Sequence, residues 1–205
     1  LAPPRVQQYL AAEIEFVSHH IDAKCTVLEL GCGYGRVLVK LARTAKHLIG
    51  IDLSPSSLDR ARQLVESGTP PLLAVMNATN LGLRGQTVDV VVCIQNGIAV
   101  FDVDPAIVLR EAIRVTRPGG YILLSSYSDH FWTERLEWFE LQAREGLIGE
   151  IDDRATGDGT IVCRDGFRAR TLRPRDFESL AARFDVSSRV VEVDRSSVFC
   201  EIVVG

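Results

Sequence analysis

Residues 27–36 read VLELGCGYGR: an apolar run carrying one acid, Glu29, then three glycines at alternate positions, Gly31, Gly33 and Gly35. A short aliphatic stretch ending in glycines is a buried strand leaving a sheet. Glycine removes side chains from the turn that follows, so backbone N–H groups can meet a ligand directly. The helix after such a turn adds partial positive charge at its N-terminus. Arg36 opens that helix, and the stretch 36–43 is helix-like.

Outward from this turn the pattern repeats. The runs 48–52, 72–76, 89–94 and 121–126 are aliphatic and bounded by turn residues or acids, and they read with 27–31 as five buried strands. Helices are expected over 55–66, with Ser54 as cap and Pro55 at the first position, and over 105–116, opened by Asp104 and Pro105. Val108, Ala112 and Val115 give the second an apolar stripe, and Pro118-Gly119-Gly120 is expected to end it. Strand and helix alternate, which is the pattern of a parallel sheet with crossover helices. A further helix at 174–183 leads to strand-like runs 188–193 and 198–204, expected to pair antiparallel through Asp194 to Ser197. The expected fold is α/β, doubly wound, a mostly parallel seven-stranded sheet with helices on both faces and an antiparallel C-terminal pair.

Composition sets bounds. The chain has 205 residues, 46% hydrophobic and 24% charged, with a formal charge of -4. That suits one domain over 1–205 and argues against nucleic acid as a partner. No apolar run approaches the ~20 residues that span a bilayer. The five scattered cysteines lack a C-x-x-C pair, so neither a disulfide framework nor a zinc site is expected, and a reducing cytoplasm fits. The arginines at 164, 168, 170, 173 and 175 read as a solvated face, as do His19, His20 and His47. Asp152, Asp153 and Asp158 do not follow the calcium-loop spacing and read as a polar loop.

Asp52 closes the second strand, 17 residues after Gly35, where an acid can accept from both hydroxyls of a ribose. The dinucleotide fingerprint G-x-G-x-x-G needs glycine where Arg36 stands, so a pyrophosphate-binding turn fits poorly. The E-x-G-x-G-x-G of Glu29 to Gly35 instead resembles motif I of the class I S-adenosylmethionine-dependent methyltransferases. GIDLS around Asp52 resembles the second motif of that family, MNATNL the segment edging the adenine, DVVVCIQNGI motif IV, and LREAIRVTRPGGYILLSS its helix, turn and fifth strand. The likeness covers roughly residues 25 to 126 and is specific to the superfamily.

The resemblance implies S-adenosylmethionine as cofactor, held by Glu29, Gly31, Cys32, Gly33, Gly35, Asp52, Leu53, Asn77, Ala78 and Gln95. Asn77 stands where many members carry Asp, and its carbonyl is expected to accept from the adenine amino group. The activity implied is transfer of a methyl group to a small-molecule N, O or S nucleophile by in-line displacement. No D/N-P-P-Y-like tetrad of nucleobase or glutamine methylation is present. Tyr127, Asp129, His130 and Trp132 follow the fifth strand, and Tyr127, Asp129 and His130 are the candidates to touch the acceptor or take its proton. Asn96 is read as either a contact or a turn residue. Residues 127–170 are expected to form an acceptor-binding insertion, its Asp-rich part a flap. Two rivals are a non-catalytic cofactor-binding subunit and an NAD-dependent oxidoreductase.

Overall fold

The computed structural model describes residues 2–64 and 70–205. Helix α1 (Pro4–Ser18) opens the chain, and β1 (Thr26–Leu30), α2 (Arg36–Leu41), β2 (His47–Asp52), α3 (Pro55–Leu64), β3 (Leu72–Val75) and β4 (Val88–Cys93) follow. Next come α4 (Gly97–Val100), α5 (Pro105–Val115), β5 (Thr116–Tyr127), α6 (Trp132–Arg144), β6 (Thr160–Val162), β7 (Arg168–Arg170), α7 (Pro174–Ala181), β8 (Ser187–Val193) and β9 (Ser197–Val203).

Seven strands form one sheet in the order β3-β2-β1-β4-β5-β9-β8. The five from β3 to β5 are parallel, and β9 runs antiparallel to both β5 and β8. The expected architecture is therefore present. The order reverses between β1 and β4, the point where an open parallel sheet forms a crevice beyond its strand ends. Alternation in β1 sends Val27 into a core with α1, α2 and α3, and Leu28 and Leu30 into a core with α5 and α7.

Boundaries differ from expectation in physically interpretable ways. Helix α5 stops at Val115, before the Pro-Gly-Gly turn, because Thr116 turns extended (ψ 138) and its hydroxyl donates to Ala112 O at 2.7 Å. Thr116 pairs with Val88 and Tyr121 with Val90, so the turn becomes an irregularity inside β5 rather than the end of a helix. The α3 expectation at 65–66 lies outside the described residues. His20 is not solvent-facing: its Nε2 meets Glu201 Oε2 at 3.0 Å, its Nδ1 meets Phe16 O, and its ring packs against Phe16 and Tyr121. His19 and His47 are exposed.

Helix α1 was not anticipated, although Val6, Tyr9, Glu13 and Val17 recur at helical spacing behind Pro4. All four are buried. Arg5 Nη1 and Gln8 Nε2 donate to the carboxylate of Asp194 at 2.5 and 2.6 Å, tying the start of the helix to the β8–β9 turn.

The segment expected to be a flap is anchored. Gly157 to Arg170 forms a small antiparallel hairpin, β6 with β7, which joins α1 and α6 in a third apolar core around Tyr9, Tyr127, Phe131 and Phe139. Fully buried Arg135 pins it: Nη1 donates to Gly159 O (3.1 Å) and Thr171 Oγ1 (2.7 Å), Nη2 to Ala169 O (2.5 Å). Its guanidinium lies 4.2 Å from the Tyr127 ring centroid. Asp152 serves its own turn by accepting from Arg154 N–H, and Asp158 pairs with Arg173. Removing Arg135 takes one donor from each of two buried carbonyls and from the Thr171 hydroxyl, with Gly159 O keeping the Thr171 N–H. Arg135→Leu is therefore expected to lower unfolding free energy by about 3 kcal/mol and to open 150–170 to protease, read by denaturant titration and limited proteolysis.

Candidate functional site

At the reversal point, Cys32 N–H donates to Ile51 O and Gly35 N–H to Cys32 O, both at 2.9 Å, locking the glycine turn onto the end of β2. Asp52 completes the clamp: Oδ2 accepts from Gly33 N–H at 2.9 Å and Oδ1 from Ser54 N–H at 2.8 Å. Each carboxylate oxygen keeps a second acceptor site.

Gly31, Gly33 and Gly35 all take positive φ (68°, 51° and 86°), but for different reasons. A Cβ on Gly35 would sit 3.0 Å from Ala61 Cβ, so that glycine lets α2 approach α3. A Cβ on Gly33 would meet nothing within 4 Å, so its outer side is open. Over Gly31 lies the Phe101 ring, 3.0 Å from where a Cβ would be.

Beside this turn is a cavity of about 320 Å³, lined by Gly31, Asp52, Leu53, Asn77, Ala78 and Phe101 together with Met76, Thr79, Asp102 and Val103. Leu53 and Val103 are 67% and 41% exposed, an apolar lining that water alone would not favour. The Asn77 side-chain carbonyl accepts from both the N–H (2.9 Å) and the hydroxyl (2.8 Å) of Thr79. The carbonyl expected to serve a ligand is thus engaged in the turn, and the amide nitrogen is the group left over. Cys32 lines none of the cavities described. Its thiol is buried, and desolvation pushes its pKa up to about 12, which disfavours the thiolate.

Glu29 is buried, and its Oε2 has no hydrogen-bond partner among the described residues. Burial raises its pKa to about 8, opposed by the charge of nearby Arg36. On the same side of the sheet Glu13, fully buried, accepts from Gln95 N–H through Oε2 at 2.8 Å. Burial raises its pKa to about 7, and its Oε1 has no hydrogen-bond partner among the described residues. Arg36 donates to Gln95 Oε1. Gln95 and Asn96 are both left-handed (φ 57° and 66°), so the end of β4 is held in an uncommon shape. Asn96 is buried and accepts from Ser126 at 2.7 Å, which makes it part of the turn.

The three acceptor-side candidates do not join this constellation. Tyr127 is buried among Tyr9, Phe131 and Arg135, and burial raises its pKa. His130 bonds Glu192 at 2.7 Å and Asp129 pairs with Arg173 at 3.0 Å. Both line a separate groove bounded by β8 residues Val190 to Glu192, two strands beyond β5 in the sheet order. Trp132 packs at the edge of the third apolar core. Another cavity, about 390 Å³ around Cys25, Asp89 and Gly119, lies at the amino end of β1, opposite the crevice. Glu13 and Arg36 are the polar groups that the sequence reading did not assign. An acid on the apolar face of α1 was the available signal for the first.

A carboxyl whose folded pKa is raised holds its proton more tightly folded than unfolded. Its contribution to stability is present below its ordinary value of 4.5 and is lost as pH climbs towards 8. Across that window, wild-type stability is expected to fall relative to Glu29→Gln, whose amide does not titrate. Denaturant titrations at several pH values measure this, and parallel curves would overturn the assignment of a buried protonated Glu29.

Residues 27–120 match the family model described as a methyltransferase domain. A 2-methyl-6-phytyl-1,4-hydroquinone methyltransferase of Synechocystis is 29% identical over 139 residues, covering 62% of this chain and 42% of that one. Across the curated relatives it matches, the chain spans roughly half their length or less. A S-adenosylmethionine-dependent methyltransferase of Methanosarcina mazei superposes with TM-score 0.66 at 20% identity, covering 92% of this chain and 97% of its own. The N-methyltransferase NodS of Bradyrhizobium japonicum, solved with S-adenosyl-L-homocysteine, gives TM-score 0.61 at 16% identity, covering 97% and 86%. With this sheet order, this glycine turn and these matches, residues 27–120 carry a methyltransferase domain, and the sheet has the fold of the S-adenosylmethionine-dependent methyltransferases.

Proposed function

We propose that the protein transfers the methyl group of S-adenosylmethionine to a small-molecule nucleophile, the whole of 1–205 acting as one unit. The observation that carries the reading is Glu29 Oε2, a buried acceptor without a partner among the described residues, beside an open glycine turn. It suits a ligand whose amino-acid end carries an ammonium. The 320 Å³ cavity suits the nucleoside: Asp52 retains acceptor sites for two ribose hydroxyls, and Leu53, Met76 and Val103 offer apolar walls to a flat base. Asn77 would donate to that base through its amide nitrogen, with Ala78 beside it. Gly31 and Gly33 bring bare backbone to the amino-acid end.

The cofactor supplies a methyl on a sulfonium, already electrophilic, so no enzyme nucleophile is needed. What the chain must do is hold an acceptor in line and exclude water. Phe101 over Gly31 covers the turn, and Gln95, fixed between Glu13 and Arg36, sets the floor on the β4 side. Glu13, with its pKa near 7 and its contact with Gln95, takes the place of His130, Asp129 and Tyr127 as the titratable group at this edge. A small acceptor is supported by the size of the cavities, the net charge of -4 and the hydroquinone acceptor named for the Synechocystis relative. Residues 127–170 pack against α1 and are proposed as the acceptor-side insertion. No helix among the described residues is long and apolar enough to cross a membrane, and the five free cysteines support a reducing cytoplasm.

Two measurements test this reading. Incubation with methyl-labelled S-adenosylmethionine and a panel of amines, thiols, phenols and carboxylates is expected to label at least one small molecule, and labelling of protein or nucleic acid alone would overturn it. Asp52→Asn removes the ionised acceptor, and S-adenosylhomocysteine is expected to bind about 10- to 100-fold more weakly by calorimetry. Alanine at either Gly33 or Gly35 strains a backbone of positive φ, and the two differ in what is added: Gly33→Ala should also weaken that ligand, whereas Gly35→Ala, with Ala61 in the way, should lower stability further, by about 1–2 kcal/mol in all.

A further inference from the structure

Between α1 and α2 is the roomiest described cavity at this end of the sheet, about 510 Å³. Its α1 wall is Leu10, Ala11 and Ile14. Its α2 wall is Arg36 and Lys40, one helical turn apart and so on one face, and Gln95 closes it from the end of β4. None of these residues lines the cavity assigned to the nucleoside. Gln95 nevertheless leaves the sheet beside the glycine turn, because β4 pairs with β1 through Glu29 and Val92.

The charges lining the cavity do not cancel. Against Arg36 and Lys40 stands Glu15, exposed on α1, and Gln7 is neutral. Neither cation is paired with a carboxylate among the described residues, and the one hydrogen bond of Arg36 goes to neutral Gln95. The two buried acids near Arg36, Glu13 and Glu29, are both shifted towards their neutral forms by desolvation, so they offset its charge less than two ordinary carboxylates would. A cavity with one apolar wall and two cations on the other recognises an amphipathic anion, its head on the guanidinium and ammonium and its body along the aliphatic side chains.

We infer that this cavity is the acceptor subsite, and that the methyl acceptor carries an anionic head, a carboxylate by preference, on an apolar body lying against Leu10, Ala11 and Ile14. The inference rests on the small-molecule reading above and narrows it to a chemical class. A carboxylate could also come from the amino-acid end of the cofactor, and the experiment separates the two sources.

The protein is saturated with S-adenosylhomocysteine and titrated by calorimetry with octanoate and, separately, octanamide. Octanoate is expected to bind about 10-fold or more tightly than the amide, without displacing the homocysteine ligand. Lys40→Glu, an exposed position with no side-chain bond to lose among the described residues, is expected to keep its thermal unfolding profile and to abolish the preference, and Arg36→Gln to reduce it. Equal binding of acid and amide, or a preference that survives Lys40→Glu, overturns the inference. So does displacement of one ligand by the other, or a variant that weakens the homocysteine compound instead, because the cations would then hold the cofactor. The labelled-methyl assay, run on acids and their methyl esters, tells the two readings apart. Faster transfer to acids supports both, and equal transfer to acids and esters removes this inference while leaving a small-molecule methyltransferase. If no small molecule is labelled, that reading falls, and with it the cavity as an acceptor subsite, even where octanoate binds.

Discussion

The desolvation of two carboxylates on one side of the sheet constrains everything at the crevice. Glu29 in β1 and Glu13 in α1 are removed from water with Arg36 nearby, and neither forms an ion pair with it among the described residues. Burying a charged carboxylate without a partner costs several kcal/mol, so both hold their protons well above the ordinary range. A region that stores unpaired acceptors in this way is poorly satisfied until something cationic or proton-donating arrives. In a purely structural core such groups would be replaced by apolar ones at a gain in stability.

That constraint also explains why α1 belongs to the site. The helix reaches the carboxyl edge of the sheet through two polar ties, Arg5 and Gln8 to Asp194 at its start and Glu13 to the Gln95 N–H further along. Apolar burial of Val6, Tyr9 and Val17 supplies the bulk of its adhesion, but burial is non-directional and would tolerate sliding. The carboxylate fixes register. It does so at the residue pair, Gln95 and Asn96, whose left-handed backbone needs outside support. Strand β4 thus ends in a shape dictated by a helix from the other end of the chain.

The sheet was legible in the sequence because its central strands β1, β4 and β5 are largely buried and, like the half-exposed edge strand β3, read as aliphatic runs, and because Ser54, Pro55, Asp104 and Pro105 punctuate the helices through local chemistry. The glycine turn and Asp52 were legible for the same local reason. Tertiary contacts decided the rest. Asp129, His130 and Tyr127 follow a strand end as reactive groups often do, yet the antiparallel pair β8–β9 lies beyond β5 and draws His130 to Glu192, while Arg173 draws off Asp129. Tyr127 faces Arg135, a residue that in sequence looks like any exposed helix cation. The Asp-rich stretch looked loose because its anchor, Arg135 on α6, lies 24 or more residues from the groups it holds.

Asn77 shows the same limit within a single side chain. Sequence identifies an amide where an acid is common, and the amide's carbonyl is the obvious replacement acceptor. In the fold that carbonyl closes a turn with Thr79, so the position keeps its place in the cavity wall with only its amide nitrogen unengaged among the described residues. Asp52 avoids this conflict because a carboxylate has acceptor capacity to spare: one lone pair on each oxygen can hold the loop and the other remains for a hydroxyl. Under the proposed reading, a single acid thereby links the stability of the glycine turn to its competence to bind. Gly33, whose N–H is held by that acid and whose outer side is open, is where the two requirements meet.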